Sequence, residues 1–237
     1  MRTGDTPDLA LAEARRQPLC IIYSGAVQMS ASVTDVIDLS AVLTSGLSGA
    51  LLASQKRFDL GGLAFLTLVA GLGGGLIRDV LLQAGLPAAL ATPRYLYVVI
   101  AAAAIGYFFE KAVRRVLPAL TVVDAAGLGL YAVVGCIRAS QVGLSPLPTV
   151  VVGVLSAVGG GLLRDVLAGD TPVIFQREVY ATAALLGSVL FVGLSRLGVG
   201  PETAGVVGFV SAFSLRTVSV WRGWNIPRLG GTSGTGQ

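Results

Sequence analysis

"GLGGGLIRDVLL" occupies Gly71–Leu82, and 86 residues later the chain repeats it as "AVGGGLLRDVLA", Ala157–Ala168. Glycine costs a helix interior about 1 kcal/mol per residue relative to alanine, so each triplet costs on the order of 2–3 kcal/mol. A charged group at the centre of an apolar helix costs about 2.5–3.5 kcal/mol more. Both stretches nevertheless lie inside long apolar runs. A chain that carries such penalties twice must use them.

The composition around the motif says where. Of 237 residues, 54% are hydrophobic and only 13% charged, with a mean hydropathy of +0.78. Soluble domains carry roughly a quarter charged residues, so this chain reads as a polytopic membrane protein. Its net charge of +4 is scattered between apolar segments rather than gathered on one face, which argues against a nucleic-acid partner. The chain has no histidine, and Cys20 and Cys136 form neither a disulfide framework nor a metal spacing. Zinc–histidine sites, histidine relays and Ser-His-Asp triads are all absent, and no nucleophile–base pair can be assembled, so the chain reads as no enzyme, with no metal or cofactor.

A spanning helix needs about 20 mostly apolar residues. Seven such segments are predicted: Val33–Ala53, Leu60–Leu82, Tyr95–Phe109, Ala119–Cys136, Leu147–Ala168, Val179–Leu197 and Thr203–Val220. Residues 1–32 form an N-terminal extension charged with both signs, expected to be mobile or to lie on the surface, and Met29 offers a second start. Residues 225–237 read as a disordered tail. Arg94, Arg138 and Arg196 flank one side of the membrane, with Arg2, Arg15 and Arg16 of the extension. Lys56, Arg57, Lys111, Arg114, Arg115, Arg177, Arg216, Arg222 and Arg228 flank the other. The richer side is cytoplasmic, which puts the C-terminus inside and the N-terminus outside.

The repeat extends beyond the motif. At the same offset Asp38 aligns with Asp124, Gly49 with Gly135, and "ASQ" at Ala53–Gln55 with "ASQ" at Ala139–Gln141. Beyond Asp79 the register slips by three, so that "RYLY" at Arg94–Tyr97 meets "REVY" at Arg177–Tyr180. The first repeat covers residues 33–118 and the second 119–198, each with three spans. An odd number inserts the second copy upside down, giving an inverted three-plus-three repeat. Residues 199–224 add a seventh, unduplicated helix. The predicted fold class is therefore all-α and integral to the membrane.

Two readings of the glycines stand. Gly73, Gly74, Gly75, Gly159, Gly160 and Gly161 either interrupt their helices at a central site, freeing carbonyls toward a cation, or permit tight helix packing. The charged motif also admits two. Arg78 and Asp79, Arg164 and Asp165 either form cross-pairs between the halves (Arg78 with Asp165, Arg164 with Asp79) or reach the interface. Asp38 and Asp124, near the starts of spans one and four, either cap those helices or supply negative charge at opposite mouths of a cation path. Tyr95, Tyr97, Tyr107 and Tyr180 read as interfacial aromatics. Ser45, Gly49 and Ala53 form a small-residue stripe for a helix contact. Arg216 is expected to snorkel to the cytoplasmic surface or to hold an anionic lipid head group.

The duplicated GGGxxRD, "SGA" at Ser48–Ala50, "ASQKRFDLGG" at Ala53–Gly62 and "REVYATAALLG" at Arg177–Gly187 closely resemble the prokaryotic TRIC channels, the trimeric intracellular cation channel family. The resemblance runs from about Asp35 to Trp224. It implies seven transmembrane helices, a homotrimer with a pore in each protomer, and second and fifth helices kinked at Gly73–Gly75 and Gly159–Gly161. It also implies conduction of monovalent cations, potassium or sodium, without a cofactor, in a bacterial plasma membrane with lipid as partner. The alternative is a secondary carrier for a small solute such as glycine, since inverted repeats serve carriers as well.

Overall fold

The structure, a computed structural model, describes residues 29–108, 118–176 and 179–224. Residues 1–28 and 225–237 lie outside it, and with them most of the predicted extension, the predicted tail, Cys20 and Arg228. Lys111, Arg114, Arg115 and Arg177 lie outside it too.

Six helices among the described residues are long and apolar enough to cross a membrane: α1 (Ala31–Gln55), α2 (Leu60–Leu82), α5 (Pro118–Gln141), α6 (Pro146–Leu167), α8 (Val179–Arg196) and α9 (Pro201–Trp221). A shorter apolar helix, α4 (Arg94–Phe108), fills the place of the third predicted span. Two four-residue helices were not foreseen: α3 (Ala88–Ala91) and α7 (Val173–Gln176), which follow α2 and α6. The chain is a multi-pass membrane protein.

Local chemistry sets the boundaries. Ser30 caps α1, its hydroxyl accepting from the Val33 amide, and Asp59 caps α2 by accepting from Gly62 at 2.7 Å. Pro146 and Pro201 open α6 and α9, where a missing N–H costs nothing. α2 stops where Gln83 turns left-handed, and a φ of 83° at Gly198 ends the turn after α8.

Between lipid-facing helices the hydrophobic effect offers little, so close backbone contact must hold them. Gly49 on α1 lies against Leu66 and Ala70 of α2, and Gly187 on α8 against Gly208 and Ala212 of α9. The central cluster joins Ala41, Val42, Leu72, Leu128, Tyr131, Ala157, Val158 and Tyr180. Large apolar side chains such as Phe65, Val80, Ile100, Leu155 and Val206 point outward, as a lipid solvent allows.

Candidate functional site: two buried Asp-Arg-Asp clusters at a glycine crossing

The triplets sit where α2 and α6 cross. A Cβ on Gly160 would stand 2.6 Å from the carbonyl oxygen of Ala70 and 3.4 Å from the amide nitrogen of Gly74. One on Gly73 would meet Leu163 at 3.0 Å, one on Gly159 would meet Ile77 at 2.6 Å, and one on Gly74 would overlap the Ser156 carbonyl. As α2 advances from Ala70 to Gly74, its partner on α6 recedes from Gly160 to Ser156, so the helices cross antiparallel. Both remain α-helical throughout, and no triplet glycine has a positive φ. The expected interruption is thus corrected: four of the glycines are spent on backbone contact, and their helices stay whole. The Gly71 carbonyl takes an added hydrogen bond from the Tyr131 hydroxyl, and the Gly74 carbonyl one from Ser156 Oγ at 3.4 Å.

One turn beyond the crossing on each helix lies an arginine. Arg78 donates from Nη1 and Nη2 to the two oxygens of Asp38 at 3.0 and 3.1 Å, and from Nε to Asp79 at 2.7 Å. Arg164 donates from Nη1 to Asp124 at 2.7 Å and to Ser48 Oγ at 2.7 Å, and from Nε to Asp165 at 2.9 Å. Each cluster gathers two carboxylates about one arginine through charge-assisted hydrogen bonds; Asp79 keeps 16% of its side chain exposed, and Arg138 comes within 3.9 Å of Asp38 in the first cluster. The second oxygen of each motif aspartate is used as well: Asp79 accepts from the Ala88 amide at 2.9 Å, and Asp165 from Val173 at 3.0 Å. The motif thereby pins α3 and α7 to the helix before them.

These pairs correct four expectations. The cross-pairs do not form, because an antiparallel crossing carries Arg78 and Arg164 to opposite sides, each facing a carboxylate of its own half. Nor do the arginines reach the interface; Arg78 is 1% exposed. Neighbours along a helix can pair after all: Nε lies close enough to the backbone to reach Asp79 while the far end of Arg78 binds Asp38. Finally, Asp38 and Asp124 lie buried within α1 and α5, so neither caps a helix or stands at an open mouth.

The tyrosines divide differently from the expectation. Tyr97 and Tyr107 are exposed, but Tyr95 and Tyr180 are buried. Tyr95 donates to Asp38 Oδ2 at 3.0 Å. Tyr131, which the sequence did not single out, and Tyr180 lie over Gly75 and Gly161, the third glycines. Arg216 is 4% exposed, with its guanidinium 4.7 Å from the centre of the Tyr180 ring. It thus lies inside the bundle in a cation–π contact rather than snorkelling to the surface.

Three further ion pairs among the described residues tie the bundle away from the crossing. Arg138 meets Asp35 at 3.0 Å, and Arg94 meets the same carboxylate at 3.6 Å. Lys56 meets Asp170 at 2.6 Å. Among the described residues no group of histidine, cysteine, aspartate and glutamate could hold a metal ion.

The glycine transporter family model matches the chain twice, at residues 35–111 and 121–196. A UPF0126 inner membrane protein of Escherichia coli K12, YadS, is 34% identical over 187 residues, 78% of this chain and 90% of its own. A UPF0126 membrane protein of Deinococcus radiodurans is 41% identical over 154 residues, 64% of this chain and 72% of its own. Among solved structures, the trimeric intracellular cation channel orthologue of Rhodobacter sphaeroides superposes with a TM-score of 0.78 at 38% identity, covering 81% of this chain and all of that one. A prokaryotic TRIC channel in 0.5 M KCl superposes at 0.76 with 26% identity, covering 82% of this chain and 99% of that one. A helical membrane bundle built around a crossed pair of glycine-rich, charge-bearing helices is the class that the fold and site define. The chain belongs to the glycine transporter family, whose solved relatives are TRIC channels and not enzymes.

Proposed function

We propose that this protein is a homotrimeric, potassium-permeable cation channel with a path in each protomer between α1, α2, α5 and α6. The observation that carries the reading is the likeness to the Rhodobacter sphaeroides channel orthologue over the whole of that chain. The two clusters support it, since each brings two carboxylates into an otherwise apolar bundle, where they would draw cations. In this reading α1, α2 and α4 form one half and α5, α6 and α8 its inverted copy, with α9 the seventh span. Two family matches that start 86 residues apart favour that duplication. Opening flexes α2 and α6, the second and fifth spans, at Gly73–Gly75 and Gly159–Gly161. The protein sits in a bacterial plasma membrane among lipids, with its N-terminus outside and its C-terminus cytoplasmic. Potassium or sodium is the permeant ion, and no cofactor is needed.

The test is planar-bilayer recording of the purified protein under a potassium gradient. Unitary currents that reverse near the potassium potential are expected. The family's description favours a second reading, a glycine carrier. Silent bilayers with intact trimers, together with saturable glycine uptake, would move the assignment there.

A further inference from the structure

The third glycine of each triplet does not serve the crossing. A Cβ on Gly75 would meet Tyr131 Cε1 at 3.7 Å and Arg78 Nη2 at 3.7 Å; one on Gly161 would meet the Tyr180 hydroxyl at 2.5 Å and Arg164 Nη2 at 3.8 Å. Each triplet thus seats a buried tyrosine beside its arginine. The repeat does not relate the two tyrosines. At the offset of 86, Tyr131 aligns with Ser45, whose hydroxyl lies against Gly127. In the slipped register Tyr180 aligns with Tyr97, whose side chain is exposed. Two halves built from one ancestor have reached the same arrangement with side chains from different helices, α5 in one and α8 in the other.

Resting on the channel reading, we propose that Tyr131 and Tyr180 are the two occluding side chains of the ion path, one on each side of the α2–α6 crossing. Tyr131 lies along Gly74 and Gly75 and Tyr180 against Gly161, each beside an arginine–carboxylate cluster, where a permeating cation would pass. A ring lying on glycine meets no β-carbon and can leave by rotation about χ1. For Tyr131 the departure breaks the hydrogen bond to Gly71 and uncovers that carbonyl. For Tyr180 it breaks the stacking on Arg216, so α9 restrains that side alone. The two sides open by separate events.

The test is potassium efflux from liposomes containing the full chain, as wild type and as Tyr131→Phe, Gly161→Ala and Gly193→Ala, each checked for thermal unfolding and trimer integrity. Tyr131→Phe keeps the ring and removes its tie, so efflux should rise about fivefold, the effect of one hydrogen bond on a two-state equilibrium. Gly161→Ala must displace the Tyr180 hydroxyl and should alter efflux. Gly193→Ala places its methyl in open space on α8 and should not. If Gly161→Ala fails to assemble, Arg216→Gln, which removes the cation stacked on Tyr180, takes its place and should raise efflux. Wild-type efflux from intact Tyr131→Phe and Gly161→Ala overturns the occlusion and leaves the channel standing. An equal rise in Gly193→Ala overturns it too, as general loosening. No efflux from any of the folded proteins overturns the channel reading, and the occlusion with it.

Discussion

Gly160 approaches Ala70 so closely that a single methyl group on the glycine would stand 2.6 Å from the alanine carbonyl oxygen. Backbone cannot move aside as a side chain can. Gly160→Ala and Gly74→Ala should each lose about 1–3 kcal/mol of stability to overpacking, outweighing the roughly 1 kcal/mol gained in helix propensity. Gly75→Ala meets its neighbours at ordinary contact distance and should be near neutral. Thermal unfolding of the three variants in one detergent checks the order.

Asp38 and Asp124 hold equivalent places but unequal loads. Asp38 receives both terminal nitrogens of Arg78 and the Tyr95 hydroxyl, whereas Asp124 receives one nitrogen of an arginine that Ser48 also serves. Breaking a buried ion pair costs about 3–5 kcal/mol. Asp38→Asn should therefore lie near the top of that range and Asp124→Asn near its foot, read as the loss in thermal unfolding of each variant in one detergent.

Asp79 fastens α3 through the Ala88 amide. Asp79→Ala should release that segment and also take from Arg78 one of its two carboxylates, so it should cost more than the roughly 0.5–2 kcal/mol of a lost helix cap. Hydrogen exchange should accelerate around residues 84–92 and stay unchanged around residues 169–176, where Asp165 does the same work.

The Lys56–Asp170 pair is short, at 2.6 Å, but partly open to solvent. Lys56→Ala should shift stability by less than about 1 kcal/mol, and the shift should shrink as salt rises. A melting series from low to high potassium chloride measures both.

The sequence made the helices legible because their apolar length and their caps are local properties. Leu60–Leu82 stands as predicted, and α8 begins at the predicted Val179. The charged clusters were half legible. Asp38 lies 40 residues before Arg78, and the repeat carries the same spacing to Asp124 and Arg164. What sequence does not show is that these residues meet, nor that one arginine serves two carboxylates at different depths. The glycines deceived for another reason. Their cost within a helix is visible in sequence, but the second helix that offsets it is not. Tyr131 drew no notice and Tyr180 read as interfacial because burial of a tyrosine in a membrane protein depends on which way its helix is turned, and an apolar-all-round helix carries little record of that.

Each arginine finds its carboxylates within its own half. For the order of synthesis this matters: by the time α2 has left the ribosome, α1 has already delivered Asp38 to the membrane, so Arg78 enters the bilayer with its counter-ion waiting. Arg164 follows Asp124 in the same way, and meets Ser48 of a half already in place. The growing chain need not hold an unmatched charge in lipid until the final helix arrives.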